Sequence, residues 1–222
     1  MSNRAALYLA GLALAAAAAC GGAEKTVVDN YFNALRAGDN QTLSSFAAVT
    51  FAEPVDSWKV TASRAEAPAP ATLPQLATRL KELEAELAAN KRNYGAYHAQ
   101  RWQEIGRLND IRAKNGAVPP ALSSVATEHD KYQQTDRDLK RQLAAATSEL
   151  EKERRAVVLS VGDQDGIEGL QGDVETKVVD VDITSKGQAR PYVMTLRRYN
   201  LKRDQGPRIM SRWVVQDLKP KS

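Results

Sequence analysis

The sequence predicts an α+β protein whose chain is interrupted by a long helical hairpin. Three observations carry this. Residues 25–46 place apolar side chains at helical spacing. Residues 56–63 and 179–218 alternate apolar and polar side chains, the period of a half-buried strand. Between them, from Leu73 to Val157, apolar residues step by three and four over two long runs, the period of a helix packed along a narrow seam.

The chain opens MSNRAALYLAGLALAAAAACGG. Arg4 is the sole charge before Glu24, and Ala5 to Ala19 is an unbroken run of apolar residues and glycine. This run is shorter than the roughly 17–25 residues a membrane span needs. A basic start, a short apolar stretch and a small-residue exit mark residues 1–19 as a secretory signal. The exit, Ala17-Ala18-Ala19-Cys20-Gly21, resembles the lipobox of bacterial lipoproteins, with Ala17 where that family usually has Leu. The resemblance implies acylation of Cys20 and attachment to a membrane. Gly21 in place of Asp favours the periplasmic face of an outer membrane. Cleavage after Ala19 by the ordinary export route also fits, and would leave an exported protein with one free cysteine. Cys20 is the only cysteine, so no disulfide can form within the chain.

Removing residues 1–19 leaves enough chain for one or two ordinary domains. The formal net charge is +4, and Asp173 to Ser222 carries 11 Lys/Arg against 6 Asp/Glu. Such a surface suits anionic lipid headgroups or an acidic protein. Export argues against nucleic acid as a partner.

Val27, Val28, Tyr31, Phe32 and Leu35 form the apolar face of a first helix, Lys25 to Ala37. Gly38 stops it, and Asp39 caps a second, short helix through Phe46. The phrase VVDNYFNALRAGDNQTLSSF is similar to the opening of NTF2-like (cystatin-like) domains. That resemblance implies N-terminal helices packed into a curved antiparallel sheet. It also implies a cone-shaped pocket, which a long insertion puts in question. Asp56 to Ser63 reads as the first strand, with Trp58, Val60 and Ala62 on one face. Ala65 to Pro74 reads as a stiff Pro/Ala linker, and Thr72 with Gln75 is a capping-box signature.

The first long helix has its seam at Leu73, Leu76, Leu80, Leu83, Leu87, Asn90, Tyr94, Tyr97, Arg101, Glu104, Leu108 and Ile111. Asn115-Gly116 ends it and Pro119-Pro120 starts the next. The second seam runs Leu122, Val125, His129, Tyr132, Asp136, Leu139, Leu143, Ala146, Leu150, Glu153 and Val157. A short turn between two such helices makes an antiparallel coiled-coil hairpin. If Ile111 faces Leu122, Arg101 lies level with Tyr132 and one layer from Asp136, so Arg101 and Asp136 are candidates for a pair that fixes register.

Residues 155–161 read as the exit from the hairpin and residues 162–173 as a Gly-rich acidic loop. Val179, Val181 and Ile183 alternate with Asp180 and Asp182, whose side chains are expected to face water. Residues 191–201 and 208–218 read as two further strands, and the closing SRWVVQDL resembles the last strand of an NTF2-like sheet. The expected division is a signal peptide over 1–19, a first part of the NTF2-like domain with its linker over 20–71, the hairpin over 72–158, and a loop with completing strands over 159–222.

The two histidines, His98 and His129, fall in the hairpin, which is too little for a metal site. No catalytic motif occurs, and the strand segments contain no histidine. Asp163-x-Asp165-Gly166 hints at a calcium loop, but the sixth position is Glu168 rather than Gly. The sequence therefore implies no enzyme chemistry, no cofactor and no metal. It implies a lipid-anchored interaction module whose hairpin contacts a protein partner, with Trp102, beside the seam, as the candidate contact. A small-molecule-binding or catalytic NTF2-like pocket is the alternative. A periplasmic adaptor is a third reading, although adaptor hairpins interrupt lipoyl-like domains, whose pattern is absent here.

Overall fold

A computed structural model describes residues 22–163, 165–204 and 206–221. The described residues form a mixed α+β structure with four α-helices and an open antiparallel sheet of five strands. The order is α1 (Ala23–Ala37), α2 (Asn40–Phe46), β1 (Ser57–Ala65), β2 (Ala69–Pro70), α3 (Leu73–Ala113), α4 (Ser123–Val161), β3 (Gln171–Ser185), β4 (Gln188–Lys202) and β5 (Val214–Pro220). The strands lie in the order β1-β3-β4-β5, with β2 also pairing with β3.

Local chemistry explains the first two helices. Gly38 takes the left-handed conformation (φ 67°) that ends α1. The Asp39 carboxylate accepts the Thr42 amide at 2.9 Å and starts α2. Val28, Tyr31 and Phe32 are fully buried against Val179, Val181 and Ile183 of β3 and Met194 and Leu196 of β4. Trp58 stacks on Phe32 with ring centroids 5.2 Å apart, and its indole N–H donates to Asp29 at 2.9 Å. These apolar contacts set the angle of α1 on the sheet.

The β3–β4 ladder is the backbone of the sheet. Ser185 pairs with Gln188 across Lys186-Gly187, both at positive φ (51° and 75°). This is the two-residue turn whose twist matches a right-twisted hairpin. At the other end Gly172 is required. A Cβ there would lie 2.1 Å from the Asn200 carbonyl oxygen.

Both faces of this long hairpin are used, at different ends. Val179, Val181 and Ile183 face α1. Val174 on β3, with Tyr199 and Leu201 on β4, differs from them in parity and so lies on the opposite face. There it packs with Ala71, Leu73, Ala156, Val157, Val161, Ile167 and Leu170. The base of α3 and α4 thus shares a core with the sheet.

Several expectations are corrected. The 65–74 stretch is not a free linker. β1 runs to Ala65, and Ala69-Pro70 pairs with Val174 and Asp173. The Glu66 amide donates to Thr176 O at 3.0 Å and the Ala71 amide to Gly172 O at 2.9 Å. Proline suits such an edge because only the intervening residues need donate. Thr72 makes no side-chain cap. α4 continues to Val161, three residues past the expected end of the hairpin at 158, and Gly162 stops it. β3 begins at Gln171, inside the expected acidic loop, and β5 begins only at Val214. Asp180 does not face water. It is buried, with its carboxylate 2.7 Å from the Lys221 ammonium and 3.9 Å from Arg64.

Arg212 ties the layers together. Its amide donates to Ser160 O (2.9 Å) and its Nε to Leu159 O (2.8 Å), satisfying carbonyls at the end of α4. Its Nη2 donates to Ser45 O of α2 at 2.8 Å. The Ser160 hydroxyl donates to Arg212 O (2.8 Å) and accepts the Tyr199 amide (3.1 Å).

Candidate functional site: the tip of the helical arm

Helices α3 and α4 pack against each other along the seam the spacing predicts. From Leu73 to Tyr97 every seam position of α3 is buried or half-buried, and so is every seam position of α4 from Leu122 to Val157. Near the sheet the seam is aliphatic, with Leu83, Leu87, Leu139 and Ala146 buried together. Towards the tip it becomes polar and aromatic. Asn90 Nδ2 donates to Tyr132 O (3.3 Å) and the Tyr97 hydroxyl to Val125 O (3.2 Å). Tyr94 lies against His129 and Tyr132 at centroid distances of 5.6 and 5.7 Å.

These bonds fix the register, and it differs from the expected one. Asn90, not Arg101, lies level with Tyr132. The offset is eleven residues, or about three helical turns. The cause is at Arg101, whose φ and ψ (−121°, 20°) leave the helical region inside α3. With Tyr97 bonded at Val125, Arg101 is already level with the start of α4. A straight continuation at ~1.5 Å per residue would carry Arg112 some ~16 Å beyond that end. Instead the Arg112 guanidinium grips the Asp130 carboxylate with two bonds of 2.7 and 2.6 Å, two turns inside α4. Residues 102–113 therefore bend back over the tip. Ile105 and Leu108 are 1% and 0% exposed, which the open face of a two-helix hairpin would not achieve.

The proposed register pair is not formed. Arg101 pairs with Glu104 at 3.0 Å and Asp136 with Lys140 at 2.7 Å, each within its own helix. Hydrogen bonds of Asn90, Tyr94 and Tyr97 hold register in its place. Trp102, on the bent segment next to Arg101, is 62% exposed.

The tip has one buried titratable ring. His129 is 3% exposed, and burial pushes its pKa below the usual histidine range. The Gln133 amide lies 2.8 Å from Nε2 and donates to it, leaving the ring proton on Nδ1, 3.2 Å from the Tyr94 oxygen. The neighbouring Arg112 holds the Asp130 carboxyl below its ordinary range. His129 is thus a satisfied neutral donor–acceptor in a packed tip. Beside Tyr94, His98 makes an edge contact at 5.8 Å.

Cys20, the expected acylation site, lies outside the described residues. Around the Asp163–Glu168 loop, Arg154 pairs with Glu168 (3.4 Å) and Arg203 donates to Asp165 O (2.5 Å). Among the described residues no group of three or more His, Cys, Asp or Glu side chains is placed to hold a metal ion. No helix among them is long and apolar enough to cross a membrane. Sequence reasoning missed a recess at the base of the arm, where Lys152 and Arg155 of α4 face Arg197 of β4 and Gln216 of β5. Its residues come from segments far apart in the chain, and no local pattern joins them. No protein family, curated protein or solved structure matches the chain.

Proposed function

We propose that this protein is a lipid-anchored, non-catalytic interaction module of the cell envelope. An NTF2-like domain, held through acylated Cys20 at the periplasmic face of an outer membrane, presents α3 and α4 as a coiled-coil insertion. The insertion's tip docks on a protein partner.

One observation carries the reading. Among the described residues three large apolar side chains are exposed: Trp102 (62%), Val118 (36%) and Met210 (92%). Trp102 and Val118 both belong to the tip. Tryptophan is highly buried on average, and it is among the residues enriched as interface anchors. The partner's matching feature is an apolar slot wide enough for an indole. Attachment is supported by the Ala19-Cys20-Gly21 exit of an export signal. The NTF2-like assignment is supported by α1 and α2 lying across one face of an antiparallel sheet.

Two measurements test it. Cys20→Ser is expected to abolish metabolic fatty-acid labelling and release the protein from membranes; a wild-type protein that takes up no label refutes the anchor. A photo-crosslinking residue at position 102 is expected to give a discrete adduct in intact cells, with none at exposed Lys140 midway along the arm. Equal crosslinking at both positions refutes the tip as the docking site.

A further inference from the structure

At the base of the arm, α4 crosses the sheet but does not cover all of it. A recess of about 580 Å³ remains between α4, β4, β5 and the segment that follows α2. This is within the roughly 300–1,000 Å³ of small-molecule sites. Lys152 and Arg155 stand one turn apart on α4 and share a face of it. From β4, Arg197 rises on the same side of the sheet as Tyr199, and Gln216 and Lys219 enter from β5.

The electrostatics are one-sided. The ion pairs at this end of α4 use Arg154 (with Glu168) and Glu153 (with Arg197, 3.2 Å), so neither Lys152 nor Arg155 has an ion-pair partner among the described residues. Asp217, the one carboxylate lining the recess, is taken by Lys219 at 2.5 Å and by the Leu218 amide at 2.9 Å. Of the cations that face the cavity, Arg197 is paired with Glu153 and Lys219 with Asp217, while Lys152 and Arg155 are not paired, an excess of two positive charges.

Two polar atoms also lack partners. Arg197 Nε, a donor, and Gln216 Oε1, an acceptor, are both buried and unbonded. Buried polar groups are almost always hydrogen-bonded, and exceptions call for a ligand or water. Both atoms lie beneath the surface of the recess that their side chains line, so a turn of either side chain brings the donor to an anion and the acceptor to a hydroxyl there.

We infer that this recess binds a small polyol phosphomonoester, with its phosphate between Lys152, Arg155 and Arg197 and a hydroxyl donating to Gln216. A phosphomonoester carries about −1.5 to −2 charge at pH 7, which matches the excess. Three acceptor oxygens suit a fork-shaped guanidinium and two neighbouring cations. The site depends neither on Trp102 nor on acylation, so it stands or falls separately from the arm.

Calorimetric titration of the full-length protein in detergent tests this, with glycerol 3-phosphate, inorganic phosphate and phosphatidylglycerol vesicles as probes. Wild type is expected to bind glycerol 3-phosphate more tightly than inorganic phosphate, and more weakly as salt rises. The double variant Lys152→Gln/Arg155→Gln, whose side chains are exposed and whose folding is checked by its melt, should lose at least about tenfold in affinity. Gln216→Ala should remove the preference for the glycerol ester while leaving phosphate binding. No heat with either soluble probe up to about 10 mM, or equal binding by the double variant, overturns the site. Binding to vesicles alone overturns the soluble ligand and assigns the cations to lipid headgroups.

Discussion

Leu108→Ala decides whether the tip bends back. Leu108 is 0% exposed although it lies beyond the point where α4 begins. Truncating a fully buried leucine removes its transfer free energy and leaves a cavity, at a cost of about 2–5 kcal/mol. On a straight α3 the same side chain would hang past the end of α4 on a bare helix surface. The change would then cost no more than ~0.5 kcal/mol, and alanine's better helix propensity would offset even that. Gly106 gives the matched control. It is exposed, and a Cβ added there meets nothing within 4 Å, so Gly106→Ala should raise helix stability by roughly 0.5–1 kcal/mol. Urea melts followed by far-ultraviolet circular dichroism give the free energies, and amide exchange of residues 103–112 gives the local opening. A Leu108→Ala loss within ~0.5 kcal/mol of wild type, with unchanged exchange in that segment, would refute the bent tip.

Two further outcomes follow from the core. Replacing residues 77–149 by a short Gly/Ser linker should leave a cooperative melt, because Leu73, Leu150, Glu153, Ala156 and Val157 stay on the sheet and closure entropy grows slowly with length. Extending the deletion to 71–155 removes Ala71, Leu73 and the Glu153 partner of Arg197 and should abolish that melt; indistinguishable melts would mean the arm's base contributes nothing to the core. Burial pushes the Tyr31 hydroxyl up to about 12 and raises Tyr199 as well. Because the folded-state value lies above the unfolded one, this contribution is complete below about pH 10 and is lost as pH climbs towards the folded value. The melting temperature should therefore fall steadily between about pH 10 and 12, with a smaller fall in Tyr31→Phe, and an identical pH dependence in that variant would remove Tyr31 as a cause.

Much of the fold could be read from the chain because the relevant signals are local. The Val27–Leu35 face, Gly38 and Asp39 specify α1 and α2 within a few residues. The α4 seam from Leu122 to Val157 is buried or half-buried at every predicted position. What could not be read depends on direction or on distant partners. Leu108 and Ile111 keep the three–four spacing, but periodicity reports which face of a helix is buried, not whether the helix has turned round. Arg101 and Asp136 resemble register residues because polar side chains in a seam demand partners, and each finds one in its own helix. Asp180 alternates like a solvent-facing residue, yet Lys221 from the far end of the chain closes over it. β2 is hidden in the sequence because two prolines in four residues mask an edge that needs few donors.

The clamp at Arg212 has a mechanical consequence. From Leu73 to Gln100 the arm reaches ~42 Å, while the helix that anchors it is ~10 Å across. A load at Trp102 therefore acts on the base with a leverage of roughly four. Moving the tip by ~4 Å would rock the end of α4 by ~1 Å, comparable to the slack in a hydrogen bond. Arg212 passes that rocking directly from Leu159 and Ser160 to Ser45 of α2. α2 follows α1, the helix that begins three residues after Cys20. Strain applied at the far end is thereby routed, through one guanidinium, towards the end of the chain where the proposed anchor lies.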